Sequence, residues 1–330
     1  MYLKSRLSPR AIGLTSAVIT VAIWAAFIVI ARASAKGALS PFDIALARIV
    51  GASLVLIPLA AWWMKQAARA NAAQSSSFFG LSPLSFRITA LCGMFGGFLY
   101  AGLSYSGFFF APAAHASVLM PGSLPLWTTL LAIFILKDHP SRQRVLGLAF
   151  IVGGDLLVGG SSLLKAFEGG EVWKGDVLFM TAAMCWSAYS VLVRRFALEA
   201  VRATAAITVF ALFTYVPLYG LLLAVGAMHS QLATAPWGQI VFQALFQGVG
   251  SVVISGITFT QMIRYYGPVR STMITALVPG LSALGAVVFL DEPLGWHLVL
   301  GLLCVTVGIL FGVQRSAMKT VAADAAKVKA

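Results

Sequence analysis

Residues 88–136 contain no Asp, Glu, Lys or Arg, and this long charge-free stretch restricts the fold more than any other feature of the chain. A helix crosses a bilayer with about 20 apolar residues, so the stretch predicts two crossings, which we place on either side of Phe110-Ala111-Pro112. The whole chain is 60% hydrophobic and 10% charged, with a mean hydropathy of +0.92. A soluble protein of this composition would expose large apolar patches to water. The composition therefore excludes a cytosolic enzyme and predicts an all-α membrane protein.

Charged residues divide the remaining chain into further apolar segments of membrane-spanning length. We predict ten transmembrane helices, at residues 11–31, 42–63, 88–110, 113–136, 144–161, 175–194, 204–226, 239–263, 269–290 and 295–314. The first five form one unit at 11–161 and the last five form a second unit at 175–314. Residues 1–10 and 315–330 are then short N-terminal and C-terminal tails.

The basic residues lie between the apolar spans, and their distribution predicts the orientation of the chain. The net charge of +13 would suit a nucleic-acid partner only if Lys and Arg clustered on one face, so we predict no nucleic-acid binding. With the N-terminus inside the cell, the cytoplasmic loops and tails hold 18 Lys and Arg, and the opposite loops hold 4. Cytoplasmic loops of membrane proteins are enriched in Lys and Arg. We therefore predict that both tails are cytoplasmic.

The two five-helix units are similar to each other in sequence. A shift of 162 residues places Gly13, Trp24 and Arg32 on Gly175, Trp186 and Arg194. A constant shift of 154 pairs Gly96 with Gly250, Gly102 with Gly256, Ser117 with Ser271, Pro125 with Pro279, Gly147 with Gly301 and Gly154 with Gly308. Because five is odd, the second copy enters the membrane inverted. Inverted repeats are typical of secondary transporters, so we predict two inverted five-helix repeats around a central cavity.

The order of several residues also resembles a known family. The residues concerned are Trp24 and Trp186, Pro41 and Arg48, Ser117, Pro125 and Lys137-Asp138-His139-Pro140, Ser271, Pro279 and Asp291-Glu292-Pro293, Arg144, Gly147 and Gly154, and His297, Gly301 and Gly308. In this order and duplication the chain resembles the ten-helix, EamA-like branch of the drug/metabolite transporter superfamily over nearly all of 11–314. The resemblance implies export of amino acids or similar metabolites, and in some members of lipophilic cations.

Aromatic residues near the middle of the first span of each copy are candidates for substrate binding. Trp24 lies about 16 Å into its span at about 1.5 Å per residue, whereas Trp is usually found at the membrane interfaces. Phe27 shares its helix face, and Trp186 and Tyr189, beside Ser190, repeat the pair in the second copy. Polar candidates on the third and eighth spans are Tyr100, Ser104, Gln247, Thr258 and Gln261. The alternative is that these side chains only pack between helices.

Prolines interrupt the fourth and ninth spans. Pro121, Pro125 and Pro279 each remove the hydrogen bond to the carbonyl four residues earlier, which for Pro279 is that of Thr275. A free carbonyl beside a cavity can accept a hydrogen bond from a substrate. We therefore regard the three prolines as candidate helix-break or gating residues. The alternative is a kink whose carbonyls are satisfied by water or by Ser and Thr hydroxyls.

Three ionisable residues inside the spans are functional candidates, because a charge within a bilayer is energetically unfavourable. Arg48 either extends to the interface or pairs with Asp43. His115 is a candidate for substrate binding or for proton coupling. Asp155 has no partner evident from the sequence and is our candidate proton-coupling residue.

A cavity lined by Trp, Tyr, Phe, Gln and Ser suits a small amphipathic solute with an apolar body. Together with the resemblance, this predicts a secondary transporter that exports aromatic or neutral amino acids across the bacterial inner membrane by alternating access. An exporter of lipophilic cations, a passive channel and a membrane enzyme remain alternatives. The sequence contains no nucleophile motif, metal-ligand cluster or phosphate-binding loop, so we predict no enzymatic activity, cofactor or metal. The predicted partners are a small-molecule substrate, the lipid bilayer and coupled protons.

Overall fold

The computed structural model describes residues 9–69, 76–165, 170–275, 277–293 and 295–311, and these residues are almost entirely helical. The helices in these ranges are α1 (Pro9–Ala35), α2 (Pro41–Arg69), α3 (Phe86–Phe110), α4 (Ala113–Leu136), α5 (Arg142–Lys165), α6 (Val172–Arg195), α7 (Ala200–Ala224), α8 (Trp237–Tyr266), α9 (Pro268–Leu290) and α10 (Trp296–Phe311). Extended structure in the same ranges is limited to an isolated antiparallel bridge between Ser77 and Ser82.

The all-α membrane fold predicted from the charge-free segments is confirmed. Within the described ranges, eight helices (α1–α4 and α6–α9) are long and apolar enough to cross a membrane, and α10 is a shorter apolar helix. Helix α5 has 24 residues and lies at the fifth predicted span. Helices form here because the bilayer offers no hydrogen-bond partner to a free backbone group, so each segment must satisfy its own. The predicted tails lie outside the described residues, apart from Pro9 and Arg10.

Several helices continue beyond the predicted spans. Helix α1 has 27 residues and ends at Ala35 rather than 31, so Arg32 lies in its last turn. Helix α2 has 29 residues and ends at Arg69 rather than 63. Both exceed the length of about 20 residues that the hydrocarbon core requires. Lys and Arg near the end of a membrane helix extend their charged groups to the lipid headgroups. The first charged residue therefore indicates where the membrane ends, and the helix continues beyond that residue.

The two repeats exchange equivalent contacts. Helix α1 packs against α8 and α9, and its counterpart α6 packs against α3 and α4. Helix α2 packs against α8, and its counterpart α7 packs against α3 in the same way. Two further pairs of equivalent helices are in direct contact, α2 with α7 and α4 with α9. Each of these contacts joins one repeat to the other. The structure therefore has the pseudo-two-fold arrangement of interlocked inverted repeats.

Helices α5 and α10 meet through the glycines that define the repeat. A Cβ atom added at Gly154 would lie 2.7 Å from the carbonyl oxygen of Gly301, and one added at Gly308 would lie 2.4 Å from that of Gly147. Both distances are shorter than a carbon–oxygen contact allows, so only glycine permits the two backbones to approach this closely. The four residues recur at a fixed shift because each copy supplies one half of the same contact.

Both copies contain irregular turns at equivalent positions. Helix α3 has π-helical turns at Met94–Leu99 and α8 has them at Ala244–Ile254. Helix α4 has π-helical turns at Val118–Gly122, and its second half, Leu124–Leu136, begins after a turn at Ser123. Helix α9 has a first segment that ends at Ile274 and a second segment that begins at Leu277. Insertions of this kind are frequent at functional sites. All of these turns lie near the middle of the protein.

The position of the prolines corrects one detail of the proline prediction. Pro121 lies within the π-helical turns of α4, as a helix-break residue would. Pro125 and Pro279, however, lie in the first turns of the segments that follow the breaks, where a missing N–H leaves no hydrogen bond unmade. The carbonyl of Thr275 is also not free, because it accepts a hydrogen bond from the Val278 N–H at 3.0 Å. The helix ends before each of these two prolines instead of bending at it.

Candidate functional site

A cavity with aromatic walls lies at the centre of the protein, where the two repeats meet. It has an empty volume of about 310 Å³. We call it the aromatic cavity. Its lining comes from α1, α3, α4, α6 and α9 and consists of Trp24, Phe27, Ile28, Tyr100, Met120, Pro121, Leu124, Ala183, Trp186 and Val278. All of these residues lie near the middle of their helices.

The equivalent tryptophans of the two repeats contact each other in this cavity. The ring centroids of Trp24 and Trp186 are 5.7 Å apart, with the planes at 76° in an edge-to-face arrangement. Tyr100 lies 4.7 Å from Trp186. Trp24 donates its indole N–H to Ser255 Oγ at 3.2 Å, whereas the buried indole N–H of Trp186 has no acceptor among the described residues. The wall of the aromatic cavity therefore contains one indole N–H group, that of Trp186, without a hydrogen-bond acceptor among the described residues.

A second cavity lies on the other side of Trp186, and we call it the arginine cavity. It has an empty volume of about 470 Å³. Its lining comes from α2, α3, α6, α7 and α8 and consists of Arg48, Ile49, Ala52, Gly96, Gly97, Ala101, Trp186, Tyr189, Thr204, Ile207, Thr208, Ala211, Ser251, Val252 and Gly256. Trp186 lines both cavities, so its ring separates them.

Arg48 is the charged residue of this lining, and it is only 6% exposed. Its Nη1 donates to the hydroxyls of Tyr105 and Ser251, both at 3.2 Å. Its guanidinium carbon lies 5.8 Å from the ring of Phe27 and 6.0 Å from that of Tyr100, within cation–π range. The side chain thus sits between the two cavities, held by hydroxyls and aromatic rings.

The prediction that Arg48 pairs with Asp43 or extends to the interface is wrong. The Asp43 carboxylate accepts hydrogen bonds from Ser40, Tyr219 and Ser230 and from the backbone N–H of Gln231. Residues five apart on an α-helix point about 140° away from each other, so the two side chains face different neighbours. Asp43 joins the start of α2 to α7 and to the connection that follows it, and Arg48 faces the cavity.

Three of the predicted polar residues hold α8 against other helices. Tyr189 shares a hydrogen bond with Thr260 at 2.9 Å, and Gln247 Oε1 accepts from the Tyr105 hydroxyl at 3.0 Å. Thr258 lies 2.8 Å from Thr20 on α1, hydroxyl to hydroxyl. Of these residues, Tyr189 also lines the arginine cavity. The others lie behind the cavity walls, and Gln261 is half-buried outside the lining of both cavities.

The hydroxyls of Ser104 and Ser190 are used within their own helices. Ser104 donates to the carbonyl of Tyr100, and Ser190 donates to that of Trp186 at 2.9 Å. This i to i−4 bond is common for a serine in a helix, because it satisfies the hydroxyl without another partner. Both serines therefore lie directly behind aromatic lining residues and do not contribute to the lining.

His115 and Asp155 lie outside the lining of the two central cavities, and Asp155 lines a lateral pocket between α4, α5 and α6. His115 Nδ1 lies 2.9 Å from Asp176 Oδ1. Asp155 and Asp176 both line this pocket, which has an empty volume of about 780 Å³. Asp155 is buried, and neither of its carboxylate oxygens has a hydrogen-bond partner in the described part of the chain. Asp176 was missed from the sequence, although it lies in the sixth predicted span, where an acidic side chain is energetically unfavourable.

An ion pair closes one end of the bundle, and sequence reasoning also missed it. Arg32, at the end of α1, donates to Glu292 at 3.0 Å and to the Phe108 carbonyl at 2.8 Å. The repeat places Arg194 and Asp138 at the equivalent positions at the other end. There Asp138 pairs with Arg144 at 3.0 Å, and Arg194 is exposed. The equivalent basic and acidic residues are therefore paired with each other at one end of the bundle and differently placed at the other.

The described residues contain no group of three or more His, Cys, Asp or Glu that would hold a metal ion.

Comparison with known proteins agrees with this architecture. A solved crystal structure has the same fold, with a TM-score of 0.60 and 20% identity over 94% of this chain and 98% of that chain. The chain is also 26% identical over 237 residues, 69% of its length and 72% of the other protein, to the "Uncharacterized transporter YyaM" of Bacillus subtilis (strain 168). The model of the EamA-like transporter family matches it twice, at residues 11–160 and 173–313. The chain therefore belongs to the EamA-like transporter family.

Proposed function

We propose that this protein is a secondary transporter that exports small amphipathic metabolites, with aromatic and neutral amino acids as the main substrate class. The observation that carries the proposal is the contact between Trp24 and Trp186, which brings the two repeats together around one central cavity. The walls of this cavity are apolar and aromatic, with few polar groups, and they suit a solute with an apolar body and a polar end. The substrate enters and leaves between the halves, at the depth where inverted-repeat transporters bind their cargo.

The different pairing at the two ends of a symmetric bundle supports alternating access. The Arg32–Glu292 pair joins α1 to the end of α9, while the equivalent residues Arg194 and Asp138 have different surroundings. Exchange of the two repeat conformations would release the first pair and bring the second pair together. With the 18-to-4 distribution of Lys and Arg, we place both termini in the cytoplasm and the Arg32 end on the outer side of the bacterial inner membrane. The lining then opens to each side in turn.

Counterflow in proteoliposomes tests the proposal. Vesicles that contain the purified protein are loaded with an unlabelled amino acid and diluted into the labelled compound, with protein-free vesicles as the control. We expect transient accumulation of label for phenylalanine, tryptophan and leucine, because a carrier exchanges solute across the membrane one molecule at a time. Equilibration without accumulation would indicate a channel, and the absence of any uptake across the panel would contradict the proposed function.

We propose that the lateral pocket couples transport to protons through Asp155. This carboxylate is buried without a hydrogen-bond partner among the described residues, and Asp176 from α6 faces the same pocket. A coupling group must differ in protonation between the two facing states. Asp155→Asn keeps the size of the side chain and removes its titration. We expect it to abolish accumulation driven by a pH gradient while counterflow, which needs no net proton movement, continues at the wild-type rate.

The control for this prediction is Glu171→Gln, which also exchanges a carboxylate for an amide, at an exposed acid that pairs with Lys174. This variant should retain pH-driven accumulation. Retention of such accumulation in Asp155→Asn would exclude Asp155 as the coupling residue. A wild-type protein that shows counterflow but no accumulation driven by a pH gradient would instead be a facilitator.

A further inference from the structure

Arg48 carries a buried positive charge that the described structure does not neutralise. The salt bridges of the described residues involve Arg32, His115, Arg144 and Lys174, and Arg48 takes part in none of them. Its partners are two hydroxyls and three aromatic rings, all uncharged. A buried charge without a counter-ion is costly, and inside a membrane protein such a residue is a functional candidate. A positive charge in these surroundings is stabilised by an anionic ligand.

The hydrogen-bonding capacity of Arg48 is only partly used. Both of its hydrogen bonds to described residues come from Nη1, which leaves the donors on Nε and Nη2 for another acceptor. These two atoms form one edge of the planar guanidinium, and such an edge matches the two oxygens of a carboxylate. The geometry of the side chain therefore fits a carboxylate better than a single hydroxyl.

Further donors without acceptors lie around the same site. The indole N–H of Trp186 is unpaired, and this ring lines both cavities. The Tyr105 hydroxyl receives a hydrogen bond from Arg48 and donates to Gln247 Oε1, and the buried Nε2 of Gln247 has no acceptor among the described residues. A buried donor is usually paired in a folded protein. These donors favour a ligand that supplies hydrogen-bond acceptors.

The two cavities contain no Asp or Glu in their described lining. A cationic substrate would therefore find one buried positive charge at the site and no negative charge. We propose that Arg48 binds the carboxylate of the transported solute, with the apolar part of the solute in the aromatic cavity across Trp186. This inference rests on the proposed transport function and narrows its substrate class. The carboxylate is the group required for binding, and the ammonium group of an amino acid contributes little.

Three compounds that differ only in their charged groups test this assignment. They are phenylalanine, 3-phenylpropanoate, which lacks the ammonium group, and phenethylamine, which lacks the carboxylate. Binding to the detergent-purified full chain is measured by thermal stabilisation and by quenching of tryptophan fluorescence. We expect the first two to bind with similar affinity and phenethylamine to bind at least about tenfold more weakly, as the loss of a charge-assisted hydrogen-bond pair implies.

Variants at position 48 separate a role in binding from a role in packing. Arg48→Gln should weaken binding of both carboxylates by about 10- to 100-fold, and Arg48→Lys should give an intermediate loss, because lysine keeps the charge but not the two-pronged geometry. Arg144→Gln, at a helix end and paired with Asp138, is the matched control and should bind normally. If Arg48→Gln does not fold, the wild-type panel and Arg48→Lys still decide the question.

Tighter binding of phenethylamine than of 3-phenylpropanoate would overturn the assignment and favour a transporter of lipophilic cations. Wild-type affinity for both carboxylates in Arg48→Gln would overturn it as well. Binding of none of the three compounds by a protein that shows counterflow would also contradict it, while leaving the transport function intact. A failure of the proposed function is a separate result, namely no counterflow of any solute.

Discussion

Replacing Trp186 with alanine is expected to reduce transport by about tenfold or more, since loss of a central aromatic anchor costs roughly 2 kcal/mol or more of binding. The ring of Trp186 separates the two cavities and contacts Trp24, Tyr100 and Tyr189, with centroids 4.7–5.7 Å away. Without it the aromatic and arginine cavities merge, and a solute loses the surface that orients it between them. Initial rates of counterflow in proteoliposomes measure the effect.

The effect of Trp186→Ala on transport has to be separated from an effect on folding. A Trp→Ala change in a packed core costs about 3–5 kcal/mol of stability, so size-exclusion chromatography and thermal unfolding accompany the assay. Trp186→Phe retains a ring and is expected to fold normally, with partial transport. Trp296→Ala is the matched control, because Trp296 is exposed on α10. Trp24→Ala should repeat the loss from the other repeat. Normal transport in both cavity variants would show that these rings only pack.

Gly51→Leu is expected to prevent correct assembly of the helix bundle. A Cβ atom at Gly51 would lie 2.1 Å from the backbone oxygen of Ala244, and one at Gly248 would lie 2.7 Å from the backbone nitrogen of Ala52. The obstructing atoms are backbone atoms of a neighbouring helix, which cannot rotate away as a side chain can. Overpacking of an ordinary core costs about 1–3 kcal/mol, and here we expect the upper end of this range or more.

The midpoint of thermal unfolding and the yield of monodisperse protein measure this effect. Gly220→Leu is the matched control, because a Cβ at Gly220 on α7 meets no atom within 4 Å and this position is exposed. It should unfold at the wild-type temperature or slightly above, since replacing glycine inside a helix favours the helical state. An unfolding midpoint for Gly51→Leu equal to that of the wild type would contradict the close packing of α2 against α8.

The candidate site was predictable only in part, and the reasons differ between residues. Trp24 and Trp186 were predicted as a pair because both lie far from the interfaces and correspond at a fixed shift, and in the structure they contact each other. The hydroxyls of Ser104 and Ser190 were assigned to substrate binding, yet a serine in a helix has a carbonyl one turn earlier within reach and uses it. Arg48, Tyr105 and Ser251 come from three different helices, α2, α3 and α8. Their hydrogen bonds could not be predicted from the sequence, because residues so far apart in the chain carry no signal that they are in contact.

The amino-acid sequence was sufficient to predict that the chain spans a membrane as helices and that these helices form two related copies. Lipid cannot satisfy a free backbone group, so apolar segments of sufficient length must be helical, and duplication leaves constant shifts between equivalent residues. Three-dimensional packing was needed to show that Arg48 faces the arginine cavity, that His115 contacts Asp176 and that Arg32 reaches Glu292. The physical reason is that an apolar side chain is nearly as stable against lipid as against another helix. Hydropathy therefore locates each helix in the membrane, but the neighbour that each face meets is decided by close packing and interhelical hydrogen bonds.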